Sequence, residues 1–318
     1  MAPQIRRHVA AAVDVGSNSI HLLVAQIGPD GIRPMVDESE FLGIGSIVDG
    51  EGGLPAATRQ EVVATLVRYA ATAGGNGAAR VALLGTEPLR RASDRSLIQA
   101  EVLAATGLSL HVLSHEQEAY LTLLGVTGGV PPSEPMMVAD IGGGSSEIIL
   151  AAPGRDAVIG SLPTGSARLS SAFVQHDPPT WFELDGLRRE AARWVDGLPA
   201  GRPTRCVMVG GTASNLSRLL RVGERSTRLT AVEVRGLFEL LSRHASTALV
   251  ARYGVNRKRA SLLAAGAALT EALMVRYELD SIEISEASLR EGAILAGAVA
   301  GDDWPERLAD LCAPHPVG

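Results

Sequence analysis

Two stretches of the chain carry the same rhythm of apolar and polar positions. VDVGSNSIHLLV begins at Val13 and ADIGGGSSEIIL at Ala139; with Asp14 set over Asp140, Gly16 falls on Gly142, Ser19 on Ser145, Leu22 on Ile148, Leu23 on Ile149 and Val24 on Leu150. Each copy is an apolar run, an aspartate, a turn of small residues and a second apolar run, which is the pattern of a β-hairpin. A repeat at this separation is a duplication of domains, not a short solenoid unit. Glycine and serine in such turns let backbone N–H groups approach a ligand closely, and concave sets of N–H donors bind phosphate oxygens. The pair of hairpins predicts one phosphate clamp between two domains.

Around the hairpins, strand and helix patterns alternate, as in an α/β fold. Residues 28–31 read as a turn and 43–53 as a glycine-rich loop bordering a cleft. Val62, Val63, Leu66, Val67 and Ala70 recur at helical spacing within 55–73, and Gly74-Gly75-Asn76-Gly77 ends that helix. A strand over 80–85, a helix over 93–105, a strand over 108–113 and a helix over 116–126 follow. The segment GGVPPSEP, 128–135, reads as an inter-domain linker. Beyond the second hairpin, helices are predicted over 181–194, 213–220, 233–249 and 259–276, strands over 205–209 and 281–285, and a closing helix from 291 to 300.

Length and composition narrow the class. A chain of 318 residues with 46% apolar content supports two cores, and only 3% aromatics means those cores are built from Ala, Val, Leu and Ile. A net charge of −6 argues against a general nucleic-acid binder, which needs a surplus of cations. Lys258 is the only lysine, and it sits in the one dense basic cluster, Arg257-Lys258-Arg259, readable either as a track for a polyanion or as a solvated helix start. Cys206 and Cys312 lack metal spacing and read as idle thiols in a reducing compartment. Asp14 interrupts the short apolar run after Arg6 and Arg7, and Glu271 interrupts the run over 262–275. Neither forms a leader or a membrane span, so a soluble cytoplasmic protein is expected.

Further segments come in a recognisable order: TEPLRRASD from Thr86, SHEQEAYLTLLG from Ser114, SLPTGSARLS from Ser161, GGTASNL from Gly210 and SLREG from Ser288. With the two hairpins they make the chain resemble the exopolyphosphatase and guanosine pentaphosphate phosphatase family, within the actin, sugar-kinase and heat-shock ATPase superfamily. The resemblance implies two ribonuclease-H-like domains with an interdomain cleft, one over 1–127 joined by a closing helix over 302–312, the other over 128–301. It implies magnesium on Asp140 and Glu147, whose spacing puts them on opposite strands of one hairpin; magnesium keeps few carboxylates and uses substrate phosphates as further ligands. His21 takes the place of Glu147 in the first hairpin.

Glu118 matches the family's water-activating glutamate, with Glu116 as a fallback, since Gln117 replaces the first of the usual acidic pair; negative charge in a first helical turn is also favoured by the dipole. Arg90 aligns with an arginine that neutralises the terminal phosphate, and Arg91 competes with it. Glu87-Pro88 stands where the family has Ser-Ala. Phosphate contacts are expected from Asp14, Gly16, Ser17, Asn18 and Ser19, from Gly142, Gly143, Gly144 and Ser145, and from Gly211 and Thr212 at a strand-to-helix turn. Arg290 and Glu291 read as an ion pair ordering the cleft, and Arg168 as structural.

The reaction so implied is magnesium-dependent hydrolysis of the terminal phosphate of inorganic polyphosphate by a base-activated water. Longer relatives carry an HD-like region that this chain does not show, from which short polyphosphate is expected. Alternatives are a guanosine pentaphosphate 5′-phosphohydrolase and a non-catalytic sensor of polyphosphate or alarmone; a kinase has no sugar pocket in the sequence to support it. No nucleic acid or membrane is expected as a partner, and the family allows a homodimer.

Overall fold

In the computed structural model, residues 8–29, 31–220 and 227–313 are described, and Arg6 and Arg7 lie outside them. The described residues form two compact units, those of 8–131 with 287–313, and those of 132–286.

The first unit opens with β1 (His8–Val15), β2 (Ser19–Gly28) and β3 (Gly31–Phe41), an antiparallel meander. Next come α1 (Ile44–Glu51), α2 (Ala56–Gly75), β4 (Ala78–Gly85), α3 (Glu87–Arg91), α4 (Arg95–Thr106), β5 (Leu110–Val112) and α5 (His115–Thr127). Strand order is β3-β2-β1-β4-β5, with β4 parallel to both neighbours. Period-two alternation sends Ala11, Val13 and Val15 to a core shared with Val62, Leu66, Ile98 and Val102, and Ala10 and Ala12 to a second core on the opposite face. That is why β1 reads as one continuous apolar run.

The second unit has β6 (Met136–Ile141), β7 (Ser146–Ala152), β8 (Arg155–Leu162), α6 (Ser166–Phe173), α7 (Trp181–Asp196), β9 (Arg205–Val209), α8 (Gly210–Leu220), β10 (Arg228–Thr230), α9 (Ala231–Arg243), α10 (Ser246–Tyr253), α11 (Leu263–Arg276) and β11 (Ser281–Ile284). Its order is β10-β11-β9-β6-β7-β8. Reversed and without the edge strand β10, this repeats the first sheet: an antiparallel meander, then parallel strands beside its first member.

The chain then returns to the first unit with α12 (Leu289–Ala300) and α13 (Trp304–Cys312). This corrects the expected boundary, which left residues 287–301 with the second domain. Leu289, Ala293, Ile294 and Ala296 share the second core of unit one with Leu121 and Leu124 of α5. Two glycines make that crossing close: a Cβ on Gly125 would lie 1.9 Å from Ser288 O, and one on Gly292 1.8 Å from Leu121 O. Both obstacles are backbone, so neither can swing aside.

Other differences have local causes. The glycine-rich segment 43–53 is largely helix α1, because Gly43 and Gly52 take left-handed conformations at its two ends while Ile44 and Val48, one turn apart, are buried. The single helix expected over 233–249 is two, separated by extended backbone at His244 and Ala245. The first turn expected of the helix from 259 is a 3₁₀ turn, Ala260–Leu262. Strands β3 and β8 were not anticipated; both lie at sheet edges, β3 mostly and β8 half exposed, where an apolar pattern is weak. No helix among the described residues is long and apolar enough to cross a membrane.

Gly292→Ala is expected to lower unfolding free energy by roughly 3 kcal/mol or more, at the upper end of overpacking costs. Urea unfolding of the variant beside wild type measures it; a loss below about 1 kcal/mol would mean the two helices separate freely.

Candidate active site

At the first hairpin the backbone is partly spent on the turn itself. Gly16 donates to Ser19 O at 3.1 Å, Ser17 O accepts from Gly45 at 2.8 Å, and Asn18 O accepts from Leu42 and Gly43. Gly16 and Ser19 thus close the turn with this bond, and Ser19 enters β2 opposite Phe41. The N–H groups of Ser17 and Asn18 make no hydrogen bond within this unit among the described residues, which leaves them as donors for an anion. Asp14 stands in register opposite His21 across the hairpin.

Thr86 donates its hydroxyl to Val15 O at 3.1 Å, tying the start of α3 to the end of β1. Five residues of α3 then split their charges two ways. Arg90 donates to Leu113 O at 2.6 Å, to Glu118 Oε2 at 3.1 Å, and to His115 Nδ1 at 3.0 Å. Arg91 turns to Glu87 and to Asp49, the latter at 2.8 Å. Of the two arginines, Arg90 is the one paired with Glu118.

Glu118 is only 8% exposed. Its helix begins with a reciprocal cap in which Gln117 N donates to Ser114 Oγ at 3.1 Å and Ser114 N to Gln117 Oε1 at 3.0 Å. Gln117, where an acid was expected, completes that cap. Glu116 is exposed and takes a 3.5 Å bond from the Tyr120 hydroxyl, so burial and pairing single out Glu118 of the two.

His115 escaped the sequence reading, since a lone histidine in a first helical turn carries no signal. An arginine offers only donors, so Nδ1 must present its lone pair and the neutral ring carries its proton on Nε2. Burial, then the Arg90 charge, lower its pKa below the ordinary 6.5, with Glu87 pulling the other way.

In the second unit Gly142 donates to Ser145 O at 3.0 Å, repeating the closure seen at Gly16. The Gly142 and Gly143 carbonyls accept from the first N–H groups of α6, and Arg168 reaches Gly144 O at 2.8 Å and Pro163 O at 2.6 Å. Arg168 is a brace for the turn. The N–H groups of Gly143, Gly144 and Ser145 make no hydrogen bond within this unit among the described residues. Asp140 and Glu147 are direct partners across the β6–β7 ladder, so both carboxylates leave the same face of the sheet; Glu147 is 2% exposed. Gly210, at φ 80°, admits Asp140: a Cβ there would be 2.8 Å from Asp140 Oδ1.

Thr212 donates to Ile141 O at 2.7 Å, binding α8 to the end of β6 rather than capping its own helix. A Cβ on Gly211 would fall 2.1 Å from Arg259 Nη1, so one member of the basic cluster lies on the glycine turn. Asn256 holds that segment to α8 by donating its N–H to Asn215 Oδ1 at 2.8 Å. Arg290 and Glu291 do not form the expected ion pair: Arg290 bonds Leu22 O and Asp37, and Glu291 accepts from Ser288 N as a cap.

Comparison with known proteins decides the lineage. The Ppx/GppA phosphatase family matches residues 23–298. The chain belongs to this family. It is 31% identical over 302 residues to Exopolyphosphatase 1 of Mycobacterium tuberculosis, covering 89% of this chain and 86% of that one. To Exopolyphosphatase 2 of the same organism it is 27% identical, covering 90% and 97%. Among solved structures, the Aquifex aeolicus family member superposes with a TM-score of 0.82 at 24% identity, covering 93% of this chain and 99% of that one. The fold is therefore that of the Ppx/GppA structures, and this Ppx/GppA chain is a hydrolase acting on phosphoric anhydrides.

The displaced His115 pKa predicts a pH effect. Its folded value lies below the unfolded one, so below pH 6.5 the unfolded chain binds protons first; stability from the neutral ring is whole above that pH and falls as pH drops through the folded value. NMR titration of the imidazole should give a midpoint below 6.5 that moves upward in Arg90→Met; a wild-type midpoint at or above 6.5 would contradict the Arg90 contact.

Proposed function

We propose that the protein is an exopolyphosphatase, releasing the terminal phosphate of inorganic polyphosphate by attack of water. The observation that carries this reading is the Arg90–Glu118 pair, at 3.1 Å and with Glu118 buried; the mycobacterial relatives named as exopolyphosphatases support the substrate. In this reading Glu118 orients the attacking water and receives its proton, while Arg90 fixes the carboxylate and neutralises charge on the terminal phosphoryl group as the shortened chain departs. Within each unit the turn offers N–H donors suited to phosphate oxygens, Ser17 and Asn18 in the first and Gly143, Gly144 and Ser145 in the second.

Asp140 and Glu147 suit a magnesium ion, because two hard oxygen donors leave one sheet face together. When bound, magnesium would neutralise phosphate charge at these residues. Two cysteines without a disulfide, Cys206 and Cys312, fit a reducing compartment such as the cytoplasm.

Phosphate release from tripolyphosphate and from guanosine pentaphosphate, with magnesium and with chelator, tests this reading on wild type and Glu118→Gln. Polyphosphate turnover should require magnesium and fall on the order of 10³-fold in the variant. Faster release from guanosine pentaphosphate would reassign the substrate, and undiminished release by the variant would remove Glu118 from the chemistry.

A further inference from the structure

The first phosphate turn carries a feature that the general reaction does not use. Glu87 is 5% exposed, and its Oε2 accepts the Ser17 hydroxyl proton at 3.1 Å. Its Oε1 faces Arg91 Nε, and Arg91 continues to Asp49 of α1 at 2.8 Å. A serine hydroxyl has one proton to give. With that proton committed to a carboxylate, Ser17 shows an approaching anion only oxygen lone pairs, beside a buried negative charge. The backbone of Ser17 is equally fixed, since its carbonyl accepts from Gly45 at 2.8 Å.

We propose that Glu87 is an affinity-setting residue that withdraws the Ser17 hydroxyl from phosphate, so that this turn grips the terminal phosphate through its N–H groups alone. The proposal rests on the phosphate-binding role given to the turn under the exopolyphosphatase reading. It makes ground-state binding weaker than the turn's composition allows, and binding given up in the ground state does not by itself lower the turnover number. Arg91 and Asp49 maintain the arrangement: Arg91 keeps the Glu87 carboxylate compensated, and Asp49 keeps Arg91 from swinging toward phosphate.

The arrangement also dictates what glutamine would do. Arg91 can only donate, and its closer contact is Nε to Oε1, with Nη2 at 3.5 Å from Oε2; in Glu87→Gln the amide oxygen therefore takes the Oε1 place and the amide NH₂ faces Ser17 Oγ. The serine then accepts from the amide, and its own proton is released for phosphate.

Dissociation constants for inorganic tripolyphosphate, measured by calorimetry in a Glu118→Gln background, test this with a double-mutant cycle. Ser17→Ala alone should change the constant less than twofold. Glu87→Gln should tighten binding about tenfold, the size expected of one regained hydrogen bond to a charged group, and adding Ser17→Ala to it should cancel most of that gain. Three results would overturn the proposal: a loss of about tenfold from Ser17→Ala alone, no tightening in Glu87→Gln, or a tightening that survives removal of the Ser17 hydroxyl.

If Glu87→Gln does not fold, Ser17→Ala decides by itself, because a hydroxyl committed to Glu87 is silent in binding and one serving phosphate is not. Phosphate release by the otherwise wild-type chain reports separately on the function. Turnover with a flat cycle removes only the role of Glu87, the expected cycle without turnover removes only the hydrolase reading, and absence of binding in every protein removes both.

Discussion

A carboxylate buried in a protein interior needs a cation, hydrogen-bond donors or a proton, because the cost of taking its charge out of water reaches several kcal/mol. Glu118 meets this requirement through Arg90, and much of the first unit is arranged to keep the two together. The reciprocal cap of Ser114 and Gln117 sets the first turn of α5. Arg90, on a helix of only five residues, is steadied by the Leu113 carbonyl and His115. Farther along α5, the glycine contacts at Gly125 and Gly292 bring α12 within backbone distance. A wider helix crossing would shift α5 and, with it, the position of Glu118.

The duplicated hairpin shows one backbone device supported in two ways. In each unit a glycine N–H closes the turn on a serine carbonyl, at 3.1 Å in the first and 3.0 Å in the second, and the intervening N–H groups are left over. The first turn is buttressed by α1 and by Glu87; the second is buttressed by Arg168 and the start of α6. The aspartates at the start of the two turns have also diverged in company, Asp14 facing a histidine and Asp140 a glutamate. Only the second pair offers two carboxylates on one face.

Much of this was legible from spacing. The strands of both hairpins are apolar on both faces, so they stand out in the sequence, and the small residues between them mark the turns. Glu118, Asp140 and Glu147 were reached by resemblance, and the structure places the last two opposite each other on one ladder. What escaped had tertiary causes. β3 is charged and exposed and shows no clear alternation. α1 is framed by glycines that look like loop, and only the burial of Ile44 and Val48 makes it a helix. The unit to which α12 belongs depends on packing against α5, which no local pattern announces. Neither His115 nor the hold of Glu87 on Ser17 could be read before α3 and α5 were placed.

Hydrolysis at the chain end requires water to attack the terminal phosphorus of polyphosphate. Turnover of tripolyphosphate in heavy-oxygen water, with mass analysis of both products, tests it most directly. One solvent oxygen is expected in each released orthophosphate and none in the pyrophosphate left behind. Solvent oxygen in the pyrophosphate, or orthophosphate without it, would show a different site of attack or a different acceptor and would contradict the account.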